Sequence, residues 1–419
     1  MTNAGQAPAA PQGVCLAYAD AAELEARAAS VRRELCEWAR VPPSAVRVVR
    51  SPYRVCPLGA HVDHQLGEVT GMALDRALLM AFADRDDGLV VVRSRQFDGT
   101  VEIRLDVPPG RRSGDWADYA RGAVHALSKR CRITRGMTAL VAGHDNVAGL
   151  SSSAAAGVAY LLALEAVNGL EVSSAENVEL DRVIENDYIG LENGILDQSV
   201  ILLGRPGHLV HVDCLTGQST AAPLGAGQDV CVMVLFSGLR APLAETGYNL
   251  RVRECREAAA LLLKEVGMSV PGRPYLRAVP PEAFARHGRR LPDRLRRRAA
   301  HFFGEQERVC KAVGLWRAGR LDELGRLVTE SGRSSIENYE CGNVYLRTAY
   351  EALCEAPGVY GARFAGGGFR GCCIALLRPE SRQEAGRAAL ARYLRAHPDM
   401  EGAAQVYFCR LGSGASIID

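Results

Sequence analysis

The sequence has no long apolar run, no CxxC pair, no excess of charge of one sign and no GxxxxGK[ST] loop, and each absence excludes a class of function. No stretch approaches the ~18 to 20 apolar residues of a membrane helix, so nothing points to a membrane. The thirteen cysteines are an odd set without a spaced Cys/His cluster, and several lie in apolar context, such as Cys231 in VCVMVLF and the adjacent Cys372 and Cys373. They read as reduced, buried thiols of a cytoplasmic protein rather than as a disulfide framework or a zinc site. Lys plus Arg number 50 against 48 Asp plus Glu, a formal charge of +2, which favours neither nucleic acid nor an anionic surface as partner. Without a Walker loop, any nucleotide site here is of another kind.

What is present is length enough for two domains, 419 residues. The start, MTNAGQAPAAPQG, lacks the charged beginning and apolar middle of a signal peptide and reads as a disordered tail over 1–14. A small, polar, glycine-containing segment at 217–228 places the domain boundary at 217/218, giving domains 15–217 and 218–419. Helical periodicity over 21–39 stops at Pro42-Pro43. Strand patterns follow at 46–50, 76–84, 89–94 and 100–107, then at 200–204 and 208–214. A helix is predicted at 119–129, another at 149–170, and a third begins at a capping box of Ser173 and Glu176 and runs to about 189. The second half predicts strands at 230–237, 372–377 and 406–411 and helices at 249–266, 294–318 and 380–396. Seven arginines between 286 and 298 read as a solvated helix and loop rather than a nucleic-acid patch.

Three stretches carry chemistry. In GLSSSAA, serines open an apolar helix, either as simple caps or as part of a cradle in which free N–H groups and hydroxyls at the positive helix end hold phosphate. In GARFAGGGFRGCC, 361–373, five glycines in eleven residues serve either tight turns or close backbone approach. In IENDYIGLENGILDQS, 184–199, Gly190 and Gly194 break the helix between Glu185 and Asp197, so the chain can turn back and bring both acids toward one point; Asp197 sits in an apolar frame where a surface role is hard to argue.

Together with RVCPLGAHVDH, 54–64, these stretches resemble, in order and over about 46–380, the motifs GEHxDY, GLSSSAA, GxxxGxxDQ and GARxxGGGFGG of the GHMP small-molecule kinases, galactokinase branch. The resemblance implies an α/β N-terminal domain like ribosomal protein S5 domain 2, a ferredoxin-like α+β C-terminal domain, and a cleft site between them. It implies ATP on Gly149, Leu150, Ser151, Ser152, Ser153 and Ala154, and Mg²⁺ on Ser153 and Glu185. Asp197 matches the catalytic aspartate facing the anomeric hydroxyl, and Arg54 the arginine that keeps it ionised; such a pair works by positioning and charge rather than by strong basicity. The segment 144–148 lacks the proline and extra glycines usual upstream of the phosphate loop.

His61, Asp63, Gly194 and Tyr248 match sugar-contacting positions, but Ala60 stands where galactokinases have a glutamate. Losing that acceptor costs a neutral sugar on the order of 1.5 to 3 kcal/mol. A glutamate about 4 Å from a substrate carboxylate, in turn, costs roughly 4 kcal/mol at an effective dielectric near 20, about a thousandfold in affinity. Alanine therefore suits a sugar that brings its own acid at C6. His64 in place of tyrosine and Arg370 in place of glycine are candidates for the complementary positive charge, Arg370 being equally at home on the surface. PYRVCPLGAHVDHQ, SSIENYECG and APGVYGARFAGGGFRGCC look closest to the galacturonokinases. The implied reaction is anomeric phosphorylation of D-galacturonate by ATP; galactose or glucuronate as substrate and a catalytically silent sugar sensor are the alternatives. The expected partners are the sugar acid and ATP, with no nucleic acid or membrane, and the expected state is a monomer.

Overall fold

The computed structural model describes residues 13–144, 147, 149–239, 247–369 and 371–418. Among them thirteen strands form two sheets. In chain order they are β1 (Val14–Cys15), β2 (Val46–Val55), β3 (Glu68–Arg85), β4 (Leu89–Ser94), β5 (Thr100–Arg104), β6 (Gly136–Ala142), β7 (His208–Asp213), β8 (Ser219–Pro223), β9 (Cys231–Phe236), β10 (Val359–Phe364), β11 (Cys372–Leu377), β12 (Gln405–Cys409) and β13 (Ser416–Ile418). The first sheet runs β13-β2-β3-β6-β4-β5, with the β7–β8 hairpin paired to the start of β3. The second runs β1-β12-β9-β11-β10. Without β1, the second sheet is antiparallel with its strands in the order last, first, third, second, the ferredoxin-like arrangement.

The helices are α1 (Ala21–Ala39), α2 (Asp118–Arg130), α3 (Ser152–Asn168), α4 (Ser174–Arg182), α5 (Leu196–Leu203), α6 (Tyr248–Glu265), α7 (Pro281–His287), α8 (Asp293–Arg317), α9 (Leu321–Glu337), α10 (Val344–Cys354) and α11 (Arg382–Ala396). None is long and apolar enough to cross a membrane among the described residues. Local chemistry sets their ends: Asp20 accepts from the Glu23 N–H at the start of α1, and the Ser173/Glu176 capping box opens α4 as predicted. A π-helical segment, Val183–Ile189, continues α4 and ends at Gly190. Such wide turns cluster at functional sites.

Three expectations need correction. Residues 200–204, predicted as a strand, belong to α5 and its end, because an apolar run that short does not distinguish a buried strand from a buried helix. The tail expected over 1–14 does not include Val14, which with Cys15 pairs in parallel with Val406 and Tyr407; 1–12 lie outside the described residues. The boundary expected at 217/218 falls inside the β7–β8 hairpin, so the chain leaves the first sheet only after Pro223. The halves also exchange ends, β1 joining the second sheet and β13 the first. Val158 and Leu161 of α3 share one apolar cluster with Val232 and Ile374 of the second sheet, so the halves are joined by a common core although the connection at 226–229 is exposed.

Most of the arginine run is held by local carboxylates: Arg294 by Glu257, Arg297 by Glu340, and Arg298 by Glu254 at 2.6 Å. Arg298 is fully buried rather than solvated.

Candidate active site

β2 ends and α5 begins at the same place, and this brings together two residues 143 positions apart. Arg54 donates through Nε and Nη2 to Asp197 Oδ1, each at 2.7 Å, and its Nη1 reaches the Gly149 carbonyl at 3.4 Å. Burial opposes the Arg54 charge, but the Asp197 carboxylate more than offsets it and holds the guanidinium above its ordinary value. The Ser151 hydroxyl donates to the other Asp197 oxygen. Both carboxylate oxygens are thereby aimed, a precondition for an acid that must meet one substrate proton.

Ser151 does not cap α3. It sits in the left-handed region, φ 58° and ψ 48°, makes no side-chain cap, and turns its hydroxyl to Asp197. The helix start therefore keeps its free N–H groups facing the cleft, the arrangement that holds phosphate. The glycine-rich stretch packs directly on this loop: a Cβ at Gly366 would lie 2.7 Å from the Gly149 carbonyl oxygen, so close backbone approach explains that glycine. Leu150 and Ala154 are buried and anchor the loop in the core.

Glu185 comes from the π-helical segment. Burial pushes its carboxyl up to about 7, nearby Asp197 adds to this, and the Asn193 and Ser153 side chains draw it back down. Asn193 donates to Glu185 Oε2, while Oε1 is buried without a hydrogen-bond partner among the described residues. Such an orphaned oxygen beside a serine hydroxyl suits a hard cation. No three His, Cys, Asp or Glu side chains converge closely enough to hold a metal alone among the described residues, so waters or phosphate oxygens would complete its shell. Sequence reasoning missed Asn193, which lies in the very stretch that drew attention, because nothing in Glu-Asn-Gly says which way the amide points. It also missed Asp181, a fully buried acid whose oxygens have no hydrogen-bond partner among the described residues.

The other end of the cleft is built on the loop after β2. Asp63 accepts from the Gly194 N–H at 3.1 Å, and burial, with Asp197 second, raises its carboxyl to about 6. His61 stacks on Tyr339, 4.2 Å between ring centres, and burial keeps it neutral. The Ala60 carbonyl accepts from His301 Nε2 at 3.0 Å, and Ala60 lines the cleft. Tyr248, from the first turn of α6, lines the same wall, its phenol kept protonated by burial and by the acids Asp63, Asp197 and Glu185. His64 corrects an expectation. Its Nε2 lies 3.0 Å from the Tyr339 hydroxyl, it does not line the cleft, and burial lowers it to about 3, so it supplies no positive charge. Arg370 lies outside the described residues, as do Asp145, Asn146 and Ala148. The cleft has a volume of about 240 Å³ and runs from Ser152 and Ser153 past Arg54 and Asp197 to Ala60, His61, Asp63 and Tyr248. It suits transfer of a group from an anion on the glycine loops to a hydroxyl of a small polar molecule.

Comparison with known proteins agrees with this geometry. Residues 118–205 match the GHMP kinases N terminal domain and residues 311–396 the GHMP kinases C terminal domain. The chain is 42% identical to a galacturonokinase of Arabidopsis thaliana, over 93% of this chain and 97% of that one. It is 31% identical to a human galactokinase, covering 95% and 97% of the two chains. The structure of Lactococcus lactis galactokinase complexed with galactose superposes with a TM-score of 0.84 at 27% identity, covering 93% of this chain and 99% of that one. With its motifs, two-domain fold and cleft all in agreement, the chain belongs to the GHMP kinase family, among the ATP-dependent sugar kinases related to galactokinase.

Proposed function

We propose that this protein phosphorylates the anomeric hydroxyl of D-galacturonate, with ATP as donor, to give ADP and α-D-galacturonate 1-phosphate. The observation that carries the reading is Ala60 in the wall of the sugar end of the cleft, where a carboxylate would repel an acid substrate. The extended identity with the Arabidopsis galacturonokinase supports it.

In this reading the substrate phosphates lie on the N–H groups at the start of α3, against the backbone of Gly366 to Gly368. Ser153 and Glu185 would hold Mg²⁺, which when bound neutralises phosphate charge. Asp197, its oxygens fixed by Arg54 and Ser151, faces the anomeric hydroxyl and takes its proton as the oxygen attacks. With Asp197 held in place by Arg54 and Ser151, the rate comes mainly from alignment and from the guanidinium beside the transferring group. Asp63, held by the Gly194 N–H, reads the C3 and C4 hydroxyls. With His64 neutral, Arg370, which follows the cleft residue Phe369, is the proposed partner of the C6 carboxylate. All thirteen cysteines carry free thiols, which fits a reducing cytoplasm as the place of action, and we take the working form as a monomer.

The test is ADP release by purified protein with Mg-ATP and, in parallel, D-galacturonate, D-glucuronate and D-galactose. Turnover with galacturonate alone is the expected result, and Arg370→Gly should then raise its KM. Preference for galactose would make this a galactokinase with an altered pocket; no turnover with any sugar would leave a binding protein.

A further inference from the structure

We infer that Asp181 is a positioning residue of the cation site, a second carboxylate layer that holds, through bridging water, a divalent cation bound at Ser153 and Glu185. The inference rests on the proposed reading of that site.

Its basis is the packing of two helical faces. Ser153 and Gly157 lie four residues apart on α3, and Asp181 and Glu185 lie four apart where α4 passes into the π-helical segment. Residues spaced in this way share a face, roughly 6 Å apart. Ser153 is the neighbour of Glu185, and Gly157 is the neighbour of Asp181: a Cβ on Gly157 would fall 2.1 Å from Asp181 Oδ1. The faces therefore run antiparallel, and Asp181 lies one helical turn behind the Ser153–Glu185 pair, away from the cleft. A glycine inside a helix is less favourable than alanine, and here it opens the notch that admits the carboxylate.

That carboxylate is fully buried, and neither oxygen has a hydrogen-bond partner or salt bridge among the described residues. Glu185 Oε1, one turn nearer the cleft, is equally bare. Isolated buried carboxylates are among the most costly groups a fold can hold. Asp181, with both oxygens bare, and Glu185, with one oxygen held by Asn193 and the other bare, lie behind one hydroxyl and describe an acceptor set for a hydrated cation. Mg²⁺ keeps several of its waters when bound, and those waters need acceptors at the distance of a second layer, where outer partners commonly tune affinity.

The experiment is Mn²⁺ binding, read by loss of the free-ion EPR signal, to the protein with a non-hydrolysable ATP analogue and to its Asp181→Asn and Glu185→Gln variants. Asp181→Asn should weaken Mn²⁺ binding roughly 10-fold or more while metal-free affinity for the analogue stays within about twofold. Unchanged Mn²⁺ affinity in a folded Asp181→Asn protein overturns the inference, as does an equal loss of metal and analogue binding. If Asp181→Asn does not fold, Asp181→Ser, which leaves a polar group and room for water, is measured instead. Anomalous diffraction from Mn²⁺ in the unaltered protein gives an independent reading: water joining the ion to Asp181 supports the role, and an ion at Glu185 with no such water removes it. If Glu185→Gln leaves Mn²⁺ binding intact, the cation site itself is misassigned and both readings fall.

Discussion

Two clusters of buried charge lie on either side of the loop that follows β2, and they are built on opposite principles. On one side Glu305 of α8 accepts from the Gly59 N–H at 2.7 Å and from Arg308 at 2.8 Å, with Arg363 3.8 Å away. Arg363 in turn donates to the Ser331 hydroxyl at 2.6 Å and to the Phe364 carbonyl at 3.0 Å. Although burial works against it, Arg308, His301 and Arg363 hold the Glu305 carboxyl below its usual value. On the other side the one guanidinium, that of Arg54, is paired with Asp197, and burial drives Glu185 and Asp181 up. Saturated burial is scaffold; acids left short of partners mark the place where ligands bring charge.

The comparison breaks most severely at Asp197. Asp197→Asn keeps the shape but removes the proton acceptor, and kcat should fall by roughly 10³ to 10⁴ with little change in the melting temperature. Comparable turnover in the variant would remove Asp197 from the chemistry. Ala60→Glu adds a carboxylate to the side already short of partners; kcat/KM for galacturonate should drop on the order of a thousandfold, with galactose much less affected. Equal losses for both sugars would mean that residue 60 acts through shape alone.

Damage to the saturated side should show up in stability instead. Arg363→Met takes one of two guanidiniums from Glu305 and the donor from Ser331, and should cost about 3 kcal/mol in urea unfolding, while metal binding in the folded protein is retained. The smallest effect is at His64, whose folded value of about 3 lies below the ordinary value of 6.5. The fold favours its neutral form, so this stability is complete above pH 6.5 and declines as the pH falls toward 3. Between pH 7 and pH 5 the unaltered protein should lose about 2 kcal/mol more than His64→Gln, at 1.36 kcal/mol per unit. Parallel pH curves would show that His64 takes up its proton in the fold as readily as in the unfolded chain.

Much of this site was legible beforehand because its parts are local. Gly149 to Ala154 announce a helix start by composition, and the two glycines between Glu185 and Asp197 require a turn. Eight strands were also found, but the apolar runs of β6 and β10 were missed and 200–204 was read as a strand. Less legible were groups whose meaning depends on a distant neighbour. Asn193 matters because Glu185 is beside it, and Asp181 because Gly157 is absent a side chain. The serines of the phosphate loop illustrate both cases. Their position was readable, but Ser151 turned out to orient Asp197 rather than to cap α3.

Periodicity, caps, glycine spacing and the alanine at position 60 all act through residues close along the chain, and they were enough to specify seven of the eleven helices and eight of the thirteen strands among the described residues, the family and the class of substrate. Charge states and partners arise from packing between segments more than a hundred residues apart: His64 is neutral against Tyr339, Arg54 is committed to Asp197, and the two ends of the chain are exchanged between the sheets. Burial and counter-charge are properties of the assembled interior, and the linear order of residues does not contain them.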